Sequence, residues 1–475
     1  ALGASFTAGF TDNALFIASQ ENSFPNIMAK EFAKLGNGGF DQPLMNDNFG
    51  GLAFGGNRIP GVNPRLVFGG AGPVSLESVI GPVTVSTDLA INNPTGPFNN
   101  MGVPGAKSYH LLFDGYGNPG GLLTSPATAN PYYVRMASSP SATMLGDAMA
   151  QNPTFFTLSE IGGNDVLGFA TSGGDGSNPL TDSPTFDFAF TTLVTTLTSG
   201  GAKGAVTNVP YITDLPHFTT VPHNPIPLDA ATAGFLNSVS AYGAYNGGLD
   251  ATLAYLTANP GVLGAIFPAT GDMTSLELAQ AEMAKRKINF MAGAGNAVVI
   301  MDESLTDLTV INPALVSMRQ ATAEDLLVLP SLSFIGTEAV PGNPSTVNGV
   351  AIPLADKWVL VPSEQQAIKD ATDAFNNTIA SVANANPNVV LVDLNSILQN
   401  ATVSGVVFDD YTLQTSLVTG GLVSLDGIHL TARGYAFMAN KFLEAIDGEF
   451  GSNFMASGNV AKAGDYPTNY SPLLQ

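Results

Sequence analysis

Cysteine is absent from all 475 residues, which excludes disulfides, thiolate metal sites and cysteine nucleophiles. Charge is scarce too. Only 11% of residues are charged, and 16 basic residues stand against 38 acidic ones, for a net charge of −22. That balance argues against a nucleic-acid partner and against docking on an anionic lipid surface. No apolar run reaches the roughly 20 residues a membrane-spanning helix needs. The G-x-S-x-G elbow, H-E-x-x-H, the P-loop and the dinucleotide-binding glycine pattern are all missing. With only four histidines, the search for a group that exchanges protons near neutral pH is short.

What is there is a large apolar fraction, 45%, with 52 glycines and 32 prolines. A chain of this size can bury a sizeable core and carry long loops. From residue 140 onward, helical stretches alternate with short apolar strands, the pattern of a parallel sheet with helices on both faces. The strands are 154–159 (TFFTLS), 204–210 (GAVTNVP) and 388–394 (NVVLVDL). The helices are 23–35 capped by Ser23, 141–151, one opened by Ser183-Pro184 and running to about 198, one begun by a Ser363/Gln366 capping box, and a last one over 431–446. Residues 36–100, with the strand-like pieces RLVF and PVTVST, read as an insertion, and 211–335 as an insertion or cap subdomain with helices over 229–245, 249–258 and 274–288. Residues 448–475 read as an arm or frayed tail. The whole, 1–475, is taken as one α/β domain. It opens in loop-like sequence without a signal-peptide pattern, so a leader and a first strand are expected upstream.

Four short stretches can carry chemistry. In SLDGIHLTARGY, Asp426 lies three residues before His429, just ahead of an amphipathic helix. That spacing lets the carboxylate hold one imidazole nitrogen and leave the other to a hydroxyl. In SEIGGNDVLGF, Gly162-Gly163 turns the chain sharply after a strand, and the Asn164 amide can donate to a developing oxyanion. Gly105, after Pro104, offers a backbone N–H of the same use. Ser5, in ALGASFTAGF, follows a glycine and precedes a helix, where a tight turn can project its hydroxyl. Taken singly, each is as well read as a turn, a cap or a surface residue.

Together, in chain order, Gly3-Ala4-Ser5, Gly105, Gly162-Gly163-Asn164-Asp165 and Asp426-Gly427-Ile428-His429 resemble the four blocks of the SGNH hydrolases, the GDSL-type esterases and lipases. The flanks S-F-T-A-G and H-L-T-A-R-G-Y add to the likeness, and the full chain is similar to long members found as Gram-negative envelope proteins. The resemblance implies a three-layer α/β/α sandwich with a central parallel, flavodoxin-like sheet and large insertions. It implies a catalytic triad of Ser5, Asp426 and His429, an oxyanion hole of Ser5, Gly105 and Asn164, and no cofactor or metal. It also implies a small-molecule, lipid or carbohydrate ester as substrate, and a secreted or cell-envelope location with a lipoprotein leader upstream. One departure stands out: Ala4 replaces the Asp of G-D-S, which supports the turn and does not attack.

Two alternatives stay open: an envelope protein that keeps this fold with a binding or structural role and little or no catalysis, and a carbohydrate-binding or adhesion role for 36–100 or 211–335. The oligomeric state is open as well. The remaining histidines have plain readings: His110 as a satisfied loop residue, His217 and His223 as members of a proline-rich loop without carboxylate partners for a metal. The loop GGDGSNPLTD lacks the spacing of a calcium loop. Phe186, Phe188 and Phe190 read as core and lid contacts.

Overall fold

A computed structural model describes residues 1–36 and 39–474. Five short strands make one sheet: β1 (Leu2–Gly3), β2 (Met101–Gly102), β3 (Phe155–Ser159), β4 (Lys203–Thr207) and β5 (Val389–Val392). They lie in the order β5-β4-β3-β1-β2, and every pairing is parallel. Phe156, Leu158, Ala205, Val206, Val389 and Val392 are all buried, as expected of parallel strands covered by helices. The chain is thus mixed α/β, with a central parallel sheet flanked by helices. Among the described residues, no helix is long and apolar enough to cross a membrane.

The flanking helices are α1 (Ser5–Ala8), α2 (Phe24–Ala33), α3 (Gly163–Thr171), α4 (Ser183–Thr198), α5 (Pro362–Asn384), α6 (Leu394–Val403) and α7 (Ala432–Phe450). Aromatic pairs fasten them to one another. Phe24 of α2 stacks on Phe442 of α7 with ring centroids 4.8 Å apart, and Phe186 of α4 stacks on Phe375 of α5 at 4.1 Å. Gly3 and Gly102 let α1 sit directly on the strands. A Cβ on Gly102 would lie 2.2 Å from the Ala8 nitrogen, and one on Gly3 would lie 2.2 Å from the Thr7 hydroxyl.

Two compact units divide the chain. The first holds 1–168, 180–217 and 369–475, and the second holds 169–179 and 218–368, wider than the expected 211–335. The second unit has its own core, built on Leu249, Leu256, Ile288, Val299, Leu315 and Leu354. Within it, the buried Arg319 donates to Asp302 and Asp325, so the charge is not left unpaired.

Several expectations are corrected. Asp182, not Ser183, caps α4 by accepting from Thr185 N–H. Helix α5 starts at Pro362, and Glu364 reaches back to Val361 N–H, so the Ser363/Gln366 capping box is not formed. Ser23 makes no capping bond to α2; its hydroxyl donates to Gln42 instead. Phe188 is 70% exposed, because successive α4 positions turn away from the core that holds Phe186 and Phe190. The stretch PVTVST forms no strand, and the segment after β5, where the sequence pattern marks no helix, is the helix α6. Residues 448–474 are not frayed: Tyr470 is buried against Phe16, and the buried Arg65 donates to the Ser471 carbonyl.

Candidate active site

The strand order reverses at β1. From there the chain proceeds to β2 on one side and to β3, β4 and β5 on the other. In open parallel sheets, ligands bind beyond the carboxyl ends of the strands at such a reversal. The segments leaving β1, β2 and β3 carry Ser5, Gly105 and Asn164 respectively. β1 is only two residues long, yet Leu2 pairs with both Met101 and Leu158, so the middle position of the sheet is filled by the chain itself.

Ser5 is the first residue of α1 and is 7% exposed. Asn164 is the second residue of α3. Its amide donates to the Ala106 carbonyl at 2.9 Å, leaving one N–H of the pair for another acceptor. Gly105 has φ +82, a conformation that L side chains rarely adopt, which is why the turn after β2 needs glycine. The next residue of α3, Asp165, is fully buried and accepts from the Ser108 N–H at 2.9 Å and hydroxyl at 2.7 Å. The Gly105 turn is therefore tied to the Asn164 helix at two points. Among the described residues, the N–H groups of Ser5 and Gly105 have no hydrogen-bond acceptor.

Asp426 and His429 lie in the loop before α7, whose first turn is capped by Thr431. Asp426 Oδ2 meets His429 Nδ1 at 2.9 Å and accepts from Asn13 N–H at 2.8 Å. Its Oδ1 accepts from the N–H groups of Ile428 and His429, both at 2.8 Å. Burial alone would push this carboxyl up, but the His429 imidazole and the N–H groups of His429 and Ile428 hold it well below the usual carboxylate range. With Nδ1 engaged, Nε2 is the free ring position. The ring packs between Phe6, at 5.8 Å, and Phe10, at 4.7 Å between centroids.

The two ends of the chain meet here. Thr11 donates to the Leu430 carbonyl, Asp12 N–H to the Ser424 hydroxyl, Leu425 N–H to Asp12, and Asn13 N–H to Asp426. Ser5 and His429 are thus held by neighbouring loops, with Phe6, the residue after Ser5, in edge contact with the imidazole. The Ser5 hydroxyl makes no hydrogen bond to the ring in this state.

Beside Ser5 opens a cavity of about 90 Å³ whose polar rim is Ser5, Glu160 and Asn164 and whose wall is apolar, including Leu167, Leu394 and Phe437. Three residues near the site fall outside the four stretches that the sequence marks for chemistry. Glu160, at the end of β3, is buried under the Ser5 turn. Asp12 is buried beside Asp426, and burial pushes its carboxyl up to about 7. His217 packs its ring against the Asp426 carbonyl at 3.3 Å. A carboxylate closing an apolar strand, as in TFFTLSE, was the available signal for Glu160, because such a group is buried only where donors await it. His110 is a satisfied residue: it accepts from Lys107 N–H and stacks on Tyr116 at 4.3 Å. His223 belongs to the second unit, where its carbonyl accepts from Val298 N–H. One cluster of carboxylates dense enough for a metal lies among the described residues, Glu303, Asp356 and Glu364, with one oxygen of each within 4.8 Å of the others. It belongs to the second unit.

Compared with known proteins, the chain matches no family model, no curated protein and no solved structure.

Proposed function

We propose that this chain is a serine ester hydrolase of the SGNH type, with Ser5, His429 and Asp426 as the triad and Ser5 N–H, Gly105 N–H and the Asn164 amide as oxyanion donors. The observation that carries the reading is the buried Asp426–His429 pair fixed to the loop that follows the Ser5 helix. The strand order β2-β1-β3-β4-β5, that of flavodoxin-like sheets, supports it.

In this reading, Ser5 Oγ attacks the ester carbonyl carbon while His429 Nε2 takes its proton. The carbonyl oxygen becomes an oxyanion between the three donors, of which each is worth about 3 kcal/mol. As the carbon–oxygen bond to the alcohol breaks, the imidazolium returns the proton to the leaving oxygen. Water then attacks the acyl-serine by the same route, releasing the acid and restoring Ser5. Asp426 holds the tautomer and offsets the charge of the imidazolium. The apolar wall beside Ser5 favours an acyl chain over a charged or sugar group on the acyl side.

Hydrolysis of p-nitrophenyl acetate, butyrate and octanoate by the wild type, Ser5→Ala and His429→Ala tests this. We expect turnover that falls by ~10⁴-fold or more in Ser5→Ala, higher kcat/KM with butyrate or octanoate than with acetate, and labelling of Ser5 by a fluorophosphonate. Turnover no higher than that of Ser5→Ala with every ester, together with an unlabelled Ser5, overturns it. A second reading, the same fold kept for binding with little catalysis, is favoured by one observation: the Ser5 hydroxyl is not bonded to His429.

A further inference from the structure

The turn that carries Ser5 lacks the device that usually secures a helix start. Ala4 is the residue before α1, and its methyl group accepts nothing. The N–H groups of Phe6 and Thr7, at the second and third helical positions, are those that a Ser, Thr, Asp or Asn at position 4 would take. They are not left bare. Glu160 Oε1, more than 150 residues away in sequence, accepts from Phe6 N–H at 2.8 Å and Thr7 N–H at 3.2 Å. A second tie lies beside it, between the Thr7 and Ser159 hydroxyls at 2.9 Å.

The main chain of Glu160 serves the other half of the site. Its carbonyl accepts from Gly163 N–H at 3.0 Å, the first residue of the helix that bears Asn164, and its own N–H donates to the Thr207 hydroxyl at 2.8 Å. The residue holds φ +53, uncommon outside glycine and strained for a long side chain. It is 8% exposed, and its second oxygen, Oε2, is buried without a partner. A residue kept for packing alone would carry neither a strained backbone nor a buried carboxyl with one oxygen unmatched. Burial, opposed by the N–H groups of Thr7, Phe6 and, more weakly, Ala4, pushes this carboxyl up to about 8.

We propose that Glu160 is a positioning residue of the ester-cleaving site: its side chain supplies in trans the cap that Ala4 cannot, while its backbone sets the Asn164 helix, so one residue fixes the distance between nucleophile and oxyanion donors. This rests on the esterase reading above and deepens it. An acceptor at Oε1 is what the role demands, so glutamine can replace glutamate and alanine cannot.

The test compares wild type, Ser5→Ala, Glu160→Ala and Glu160→Gln with p-nitrophenyl butyrate, alongside hydrogen exchange at the Phe6 and Thr7 amides read by mass spectrometry. We expect Glu160→Ala to lower kcat by about 10²-fold, the order of loss for a misplacement near 1 Å, with KM little changed and both amides exchanging faster. Glu160→Gln is expected to restore kcat to within several-fold of wild type and to restore protection. If Glu160→Ala keeps wild-type kcat and wild-type exchange, or if Glu160→Gln is as impaired as Glu160→Ala in both readouts, the proposal is overturned. Wild-type turnover no greater than that of Ser5→Ala sinks the esterase reading instead, and the exchange data then decide the Glu160 contact by themselves. Should Glu160→Ala fail to fold, the kcat and exchange of Glu160→Gln decide.

Discussion

Asp426 accepts four hydrogen bonds, and one of them orients an imidazole. Replacing it by Asn keeps the size but forces the wrong tautomer on His429, so Asp426→Asn should lose about 10⁴-fold in kcat at pH 7, measured on the ester that the wild type cuts best. Asn164→Ala should cost ~10²–10³-fold in kcat with little change in KM, since its free N–H is needed only once charge develops. Ala4 invites the opposite experiment. Installing Asp there would look like a repair, but the donors it would take already belong to Glu160. The new carboxyl would be buried beside an old one, so Ala4→Asp should lower stability by roughly 1–3 kcal/mol, read as a shifted urea midpoint. Asp426 and His429 stand three residues apart, so their pairing is local and legible in the sequence; Ser5, Gly105 and Asn164 drew attention only as members of an ordered set of four short blocks. For Glu160 the sequence shows only a carboxylate closing an apolar strand, a sign of burial; its partners, the main-chain N–H groups of Phe6 and Thr7, leave no mark there.

At the scale of elements, α1 is a four-residue helix held against two strands by glycines that leave no room for a methyl group. Gly102→Ala would drive a Cβ into the Ala8 backbone, and α1 would have to lift from the sheet, taking Ser5 with it. The expected result is esterase turnover reduced by about 10²-fold or more in a protein whose far-ultraviolet circular dichroism is unchanged. Strands β3, β4 and β5 were legible because parallel strands buried on both faces are continuous apolar runs; β1 was not, since two residues cannot display a period. Helix α6 was missed for a related reason. Its start is an Asp393 cap on a segment rich in Asn and Ser, which by composition alone resembles a loop. The tail was misjudged because glycine and asparagine suggest mobility, whereas Tyr470 and the carbonyl that takes the Arg65 guanidinium decide its place through contacts far away in sequence.

Across the whole molecule, protonation couples to stability with a sign set by burial. Asp12 is raised to about 7 and Glu160 to about 8, and burial, with crowding by neighbouring carboxylates, raises Asp356 and Glu364 as well. A carboxyl raised in the folded state contributes its full stabilisation below its unfolded value, near 4, and loses it as pH climbs through the folded value. His110 and His217 are lowered by burial and work the other way, but only until the unfolded histidines are neutral, near pH 6.5. The urea midpoint should therefore fall between about pH 6.5 and 8.5, and fall less steeply in the variant carrying Asp12→Asn and Glu160→Gln. A midpoint that rises across that window would contradict this assignment. The bonds joining Thr11, Asp12 and Asn13 to residues 424–430 have a last consequence, for biosynthesis. On the ribosome, residues 5–13 emerge long before the 424–430 loop that binds them has been translated. Under the proposed esterase reading, competence therefore waits until residues 424–430 have been made, and a product terminated before them is silent however well its early segments have folded.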